Sequence, residues 1–167
     1  MNPVIPRTSR IPGRDLVLLL ARCLLGSVMV VLGLSKALHP VDFLKILHQY
    51  GLIESPVVLN LIAATLPWFE VFCGLLLVGG IAVRGTALLS LAMLVSFTGI
   101  VLRRALALHA TTGIPFCSLR FDCGCGAGEV IICHKLLENG LLLLVSGLLL
   151  ATNHRRWCLR PDLLEPG

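Results

Sequence analysis

Long apolar blocks alternate with short polar segments along the chain, and this pattern predicts membrane spans. An α-helix needs about 20 apolar residues to cross the hydrocarbon core of a bilayer. Four blocks approach or exceed that length: Leu16–Leu34, Val57–Val83, Thr86–Leu102 and Leu136–Ala151. The last block is the shortest, and its helix can borrow residues from Val130–Cys133 at its start. We therefore expect an all-α integral membrane protein built as a bundle of four transmembrane helices.

The segment between the first two blocks mixes charged and apolar residues. In residues 36–56, charged and apolar residues follow one another in a pattern that is typical of a short amphipathic helix at the membrane interface. Gly51 and Pro56 mark the end of this segment. The first block could instead be a signal peptide, whose apolar core has about 7–15 residues. Because this block is longer and contains Arg22, a retained helix is the better interpretation.

Charge placement predicts the orientation of the bundle. We expect a polar tail at residues 1–14, a membrane domain at residues 15–152 and a second tail at residues 153–167. An even number of spans puts both tails on the same side, and that side carries slightly more arginine and lysine. The positive-inside rule then predicts a bacterial inner membrane protein with cytoplasmic termini. The loop between the third and fourth spans would face the periplasm.

Composition agrees with a lipid environment and argues against nucleic-acid binding. The 167 residues are 56% hydrophobic and 14% charged, whereas soluble domains carry about 25% charged residues. The net charge is +5, but the basic residues mark the ends of apolar blocks and aromatic residues make up only 5%. The lipid bilayer is therefore the first partner that the sequence predicts, and nucleic acid is not expected.

The loop from Arg103 to Lys135 carries the candidate chemistry. It holds four of the seven cysteines, Cys117, Cys123, Cys125 and Cys133. In an oxidising periplasm such cysteines form disulfides.

Within that loop, the Cys123-Gly124-Cys125 motif favours a redox-active pair. A disulfide across one intervening residue closes a small, strained ring, which is easily reduced and suits exchange. Gly124 gives the backbone the freedom that such a ring requires, and Arg120 would favour the thiolate form. Cys117 and Cys133 would form a second pair or resolve the first.

Two other interpretations of the cysteines stay open. All four could form structural disulfides that staple a long loop. They could also bind zinc or an iron–sulfur cluster together with His134. Zinc sites usually space their cysteines as C-x₂₋₄-C, so the single-residue spacer fits metal poorly and no metal site is predicted.

Two ionisable residues, Arg22 and Glu70, lie inside apolar blocks. Such residues are costly in hydrocarbon unless they are compensated. Counting about 1.5 Å per residue brings them within reach of each other on antiparallel helices, so we predict an Arg22–Glu70 ion pair. The pair would lock the two helices together or mark a proton or quinone head-group site. No cofactor is certain from the sequence, and a quinone is one candidate. Glycines in the spans allow close helix packing within one chain or in a homo-oligomer.

Several motifs in order resemble the MauE branch of the DoxX-like membrane proteins. They are Arg22, Gly33-Leu-Ser-Lys36, Pro40, Leu66-Pro67-Trp68-Phe69-Glu70, Asp122-Cys123-Gly124-Cys125-Gly126 and Asn139. The resemblance adds Lys36, Pro67 and Asn139 as supporting site residues. This chain departs from the family pattern in two places, because Ala127 stands where an aromatic is usual and Glu138 where an arginine is usual.

The resemblance implies a four-helix inner-membrane protein linked to methylamine utilisation. Members of this branch are required to produce the small subunit of methylamine dehydrogenase, a disulfide-rich periplasmic protein, beside a thioredoxin-like partner. The leading hypothesis is a thiol–disulfide exchange component that helps such a client mature. The alternatives are a non-enzymatic membrane scaffold with structural disulfides and, third, a small transporter.

Overall fold

The computed structural model of the protein describes residues 13–51, 53–124 and 128–152. These residues form five α-helices: α1 at Gly13–Leu38, α2 at Pro40–Gln49, α3 at Pro56–Gly79, α4 at Val83–Thr112 and α5 at Ile132–Ala151. A 3₁₀ turn at Phe116–Ser118 and two short strands lie between α4 and α5. The strands are β1 at Arg120–Asp122 and β2 at Glu129–Ile131.

Four of these helices, α1, α3, α4 and α5, are long and apolar enough to cross a membrane. Their outward faces carry large apolar side chains such as Leu24, Phe72 and Leu144, which are between 58% and 71% exposed. Apolar surface of this extent suits hydrocarbon rather than water. The predicted all-α membrane bundle is therefore confirmed.

The turn between α3 and α4 comes earlier than the apolar pattern predicts. Helix α3 ends at Gly79 rather than Val83, because Gly80 adopts a left-handed conformation and caps the helix. Helix α4 then begins at Val83, so the predicted turn at Arg84 and Gly85 falls inside it. Hydropathy could not locate this boundary because the residues on both sides of the turn are apolar.

Helix α4 ends ten residues beyond the predicted third span. The expected end was Leu102, before Arg103 and Arg104, but the helix continues to Thr112 and is capped by Gly113. Ala105 in this extension is fully buried in an apolar cluster with Leu119 and Cys123 of the cysteine loop, as is Val101 just before it. Helix α5 likewise begins at Ile132, four residues before the apolar block at Leu136.

Helix α2 packs against α3 and the cysteine loop. Its bounds lie within the predicted amphipathic segment, although Lys36 belongs to the last turn of α1. Pro40 occupies the first turn, where a missing backbone N–H is tolerated. Phe43 is its buried residue, only 5% exposed. The amphipathic helix thus covers the end of the bundle from which the cysteine loop emerges.

The cysteine loop folds as a small antiparallel hairpin, which the sequence analysis did not predict. Strands β1 and β2 pair Arg120 with Ile131, Phe121 with Val130 and Asp122 with Glu129. The connection between them contains the Cys-Gly-Cys motif. Because Leu119 and Ile132 at the base of the hairpin are buried against α4, the fold anchors this connection to the bundle.

Candidate functional site

A disulfide joins Cys117 to Cys133 at the base of the hairpin. Cys117 lies in the 3₁₀ turn and Cys133 in the first turn of α5, and their Cα atoms are 5.0 Å apart. This separation is within the usual range for disulfides. The bond closes a loop around the hairpin, so two of the four loop cysteines are already paired with each other.

Cys123 directly follows β1 and is fully buried, with 0% exposure. Its backbone carbonyl accepts a hydrogen bond of 3.0 Å from the hydroxyl of Tyr50, at the C-terminal end of α2. The residue also belongs to the apolar cluster formed with α4. Cys123 is therefore held from two sides, by α2 and by α4.

The next residue, Gly124, is positioned by a local turn. Its N–H donates to the side-chain oxygen Oδ1 of Asp122 at 2.9 Å, an arrangement typical of turns that aspartate initiates. Gly124 has a φ of +74°, and a Cβ at this position would lie 2.9 Å from Cγ2 of Ile46 on α2. Only glycine satisfies both conditions. Cys125 lies outside the described residues, so its pairing with Cys123 stays a prediction.

Glu70 is paired with Lys36 and not with Arg22. The Lys36 ammonium donates to both carboxylate oxygens of Glu70 at 2.7 Å. The two side chains are only 6% and 15% exposed. The same ammonium lies 5.6 Å and 5.4 Å from the ring centroids of Phe43 and Phe97, within cation–π range.

The register of α1 against α3 explains why the predicted Arg22–Glu70 pair does not form. A Cβ on Gly26 would lie 2.7 Å from the carbonyl oxygen of Gly74, and one on Gly33 would lie 2.8 Å from that of Pro67. These close approaches bring Glu70 level with the C-terminal part of α1. Arg22 is buried one turn beyond Gly26, toward the α3–α4 connection.

Lys36 was not predicted as the partner of Glu70, because the apolar pattern groups this lysine with the polar residues after the first span. A usable signal exists in the spacing of small residues. Gly26 and Gly33 are seven residues apart, as are Pro67 and Gly74, so each set lies on one helix face. Matching the two sets in antiparallel order places Glu70 opposite Val30, six residues from Lys36 and eight from Arg22, and so makes Lys36 the nearer of the two cations.

An apolar cavity of about 450 Å³ links the ion pair to the cysteine loop. Lys36 and Glu70 line it, as do Tyr50 and Cys123, and most of the remaining wall is aliphatic. The cavity lies between α3 and α4. Ala92, which also lines it, is exposed on the outer surface of α4. The cavity thus connects a buried charge, a buried cysteine and the lipid-facing surface.

Helix α5 contributes polar residues below the hairpin. Asn139 is 2% exposed and its Nδ2 donates to Oγ1 of Thr98 on α4 at 3.1 Å. Lys135 is also buried and forms an ion pair of 3.3 Å with Glu138, a residue that is 60% exposed. Pro67 is buried inside α3. The supporting residues of the sequence analysis therefore lie at helix contacts.

Residues 13–51, 53–124 and 128–152 contain no group of three or more His, Cys, Asp or Glu side chains arranged to hold a metal ion. Cys23 and Cys73 lie in the spans as unbonded thiols.

Comparison with known protein families identifies one family to which the chain is similar. The family model described as methylamine utilisation protein MauE matches residues 14–152, which is most of the sequence. No curated protein and no solved structure matches. The matched region includes all five helices except the first residue of α1, and also the hairpin and the ion pair. The chain is therefore a multi-pass membrane protein that belongs to the MauE family, associated with methylamine utilisation.

Proposed function

We propose that this protein is a membrane-embedded thiol–disulfide exchange component that uses Cys123 and Cys125 as its redox pair. The observation that carries the proposal is the disulfide between Cys117 and Cys133. It leaves Cys123 and Cys125, separated by one glycine, as the other two cysteines of the loop. A ring of this size is strained and exchanges readily.

The exchange step conserves atoms and electrons. A thiolate of the partner attacks one sulfur of the Cys123–Cys125 disulfide, which forms a mixed disulfide and releases the other cysteine as a thiolate. The second thiol of the partner then attacks the mixed disulfide. The partner leaves oxidised, the cysteine pair is left as two thiols, and the reverse sequence reduces the partner.

Orientation and partners complete the proposal. The hairpin faces the periplasm of a bacterial inner membrane, with the tails at residues 1–14 and 153–167 in the cytoplasm. The partner is a periplasmic thioredoxin-like protein, and the client is a disulfide-containing protein such as the small subunit of methylamine dehydrogenase. Membership of the MauE family supports this client class.

Trapping a mixed disulfide in intact cells tests the proposal. Cells that express the wild type, Cys123→Ser or Cys125→Ser are quenched with acid, alkylated and separated without reductant. We expect one of the two variants to accumulate a mixed disulfide with a partner, while Cys23→Ser, an unbonded cysteine in α1, serves as the matched control and traps nothing. Client oxidation that proceeds normally in both loop variants would contradict the proposal.

A non-enzymatic scaffold is the second candidate, and the same disulfide favours it. Because Cys117–Cys133 ties the hairpin to α5, the loop could serve as a rigid platform for a partner. Removing one disulfide around a loop of this length costs about 3 kcal/mol. On this hypothesis, Cys117→Ser would abolish client maturation through loss of the folded protein, whereas Cys123→Ser would have no effect.

A further inference from the structure

We infer that the cavity between α3 and α4 binds the head group of an isoprenoid quinone, which takes up the electrons of the Cys123–Cys125 dithiol. This inference rests on the proposed function and names the electron acceptor of the same site. It also sets a direction, because a protein that is reoxidised by quinone oxidises its thiol partner.

The size and lining of the cavity fit this class of ligand. Small-molecule sites usually occupy about 300–1,000 Å³ and combine apolar walls with a few polar groups. This cavity has about 450 Å³, with aliphatic walls and the polar groups of Lys36, Glu70 and Tyr50. A flat ring with two carbonyl groups on an apolar tail has the same division of polar and apolar surface.

The hydrogen-bonding capacity of Lys36 favours a ligand that carries a carbonyl group. An ammonium group has three N–H donors, and two of them reach Oε1 and Oε2 of Glu70. In the part of the chain that the structure describes, no acceptor takes the third. A quinone carbonyl supplies that acceptor, and a hydrocarbon tail of a phospholipid does not. The rings of Phe43 and Phe97 beside the ammonium offer flat surfaces for the quinone ring.

Phe43 also connects the ion pair to the cysteine loop. Its ring lies 5.6 Å from Nζ of Lys36, and its Cδ2 atom would lie 3.8 Å from a Cβ on Gly124. Cys123 lines the same cavity. A head group that accepts a hydrogen bond from Lys36 is therefore directed toward the cysteine motif.

The reaction is balanced without a further reactant. The thiols of Cys123 and Cys125 lose two electrons and two protons as the S–S bond forms. The two carbonyl oxygens of the quinone gain them and become hydroxyl groups. Lys36 stabilises the negative charge that develops on the nearer oxygen, and Tyr50 acts as a positioning residue through the carbonyl of Cys123.

Quinone reduction by the purified, full-length protein tests this inference. The protein in lipid nanodiscs is reduced with dithiothreitol, desalted under nitrogen and mixed with decylubiquinone, while absorbance reports quinol and alkylation counts thiols. We expect one quinol for every two thiols lost. Ala92→Phe, which fills the cavity, should slow the reaction at least about tenfold, the size expected for losing one hydrogen bond from a charged donor.

A matched variant separates filling of the cavity from a general effect of the larger side chain. Ala64→Phe places the same ring on an exposed position of α3 outside the cavity, and it should leave the quinone rate unchanged. Both variants, once oxidised, should still oxidise a reduced thioredoxin in a single turnover. Loss of quinone reduction with thiol exchange retained assigns the cavity to the quinone.

Photolabelling shows whether the cavity binds quinone or phospholipid. Photolabelling with an azidoquinone should mark peptides from α3 and α4, and decylubiquinone should compete while phospholipid should not. If wild type exchanges thiols but neither reduces nor binds quinone, the inference is wrong and the proposed function stands. Label that phospholipid displaces equally well makes the cavity a lipid site. If quinone binds but no thiol exchanges, the proposed function fails instead.

Discussion

Gly124 is the residue at which the cysteine motif and α2 come closest. Its positive φ and the 2.9 Å that would separate a Cβ from Ile46 both require glycine. Gly128, on the other side of the motif, has the same φ of +74° but no atom within 4 Å of a Cβ. The two glycines therefore differ in contact and not in backbone conformation.

That difference gives a matched pair of substitutions. We expect Gly124→Ala to lower the free energy of unfolding by about 1–3 kcal/mol more than Gly128→Ala, because only the first forces α2 away from the hairpin. The strain of a positive φ is common to both. Thermal unfolding of the purified variants in detergent measures the difference.

A second substitution checks that the contact is the cause. Ile46→Ala removes the side chain that a Cβ at residue 124 would meet, so adding it to Gly124→Ala should restore part of the lost stability. Equal losses at both glycines, or no recovery in the double variant, would show that contact with α2 does not restrict this position.

At the scale of elements, the contact between α1 and α3 decides which charged groups meet. Hydropathy indicates that two helices exist but contains no information about how far one is shifted along the other. Close approach of Gly26 to Gly74 fixes that shift, and with it the partner of Glu70. A helix contact based on small residues is the usual way to bring membrane helices together.

The contact between Gly26 and Gly74 predicts that two glycine-to-alanine substitutions in membrane helices differ in their effect on stability. Gly26→Ala places a methyl group 2.7 Å from the backbone of α3, whereas a Cβ at Gly147 on α5 meets nothing within 4 Å. We expect Gly26→Ala to destabilise the protein by about 1–3 kcal/mol. Gly147→Ala should be neutral or stabilising by up to about 1 kcal/mol, because alanine favours helix.

Denaturant unfolding in mixed micelles, followed by far-ultraviolet circular dichroism, measures both variants. The Gly26→Ala variant should also lose the Lys36–Glu70 pair, since that pair depends on the same register. Identical unfolding curves for the two alanine variants would mean that α1 and α3 can move apart without loss of stability. The contact between Gly26 and Gly74 would then not fix the register of the two helices.

Much of the fold was predictable from the sequence, and the site was predictable only in part. Apolar blocks located the four spans to within a few residues, except where α4 continues past Leu102. Ala105 in that extension packs in one cluster with Leu119 and Ile132 at the base of the hairpin, and such contacts between distant parts of the chain are not visible in a hydropathy pattern. The cysteines of the loop were identified from spacing. The partner of Glu70 was not, because a register is a property of two helices together.

At the scale of the whole molecule, the bundle has two unlike ends. One end carries α2, the hairpin and the disulfide, and the other carries the start of α1, the α3–α4 turn and the end of α5. The ion pair and the cavity lie toward the first end, since both contact α2 or residues beside it. All the candidate chemistry is thus concentrated near one membrane surface.

Reporter fusions test which side of the membrane that end faces. Alkaline phosphatase is active only after export, so we expect activity when it is fused after Gly113, the residue that caps α4. Fused after Gly167, the same reporter should be inactive, while green fluorescent protein at that site should fluoresce. The positive-inside distribution gives this orientation.

The opposite pattern, with phosphatase active only at the C-terminus, would place the hairpin in the cytoplasm. Exchange with a periplasmic partner would then be excluded. Equal activity at both sites would contradict a membrane crossing by α5, the helix that lies between them.

Burial of Cys123 also insulates the sulfur from small water-soluble thiols. With 0% of its surface exposed, the Cys123 sulfur is shielded from dissolved thiols, since exchange requires access to the sulfur. Dithiothreitol would therefore reduce the proposed pair by attack at Cys125. A lipid-soluble oxidant would instead arrive through the side of the bundle. On the proposed function, this shielding would slow the transfer of electrons from small cellular thiols to the bilayer, because such thiols could reach the pair only through Cys125.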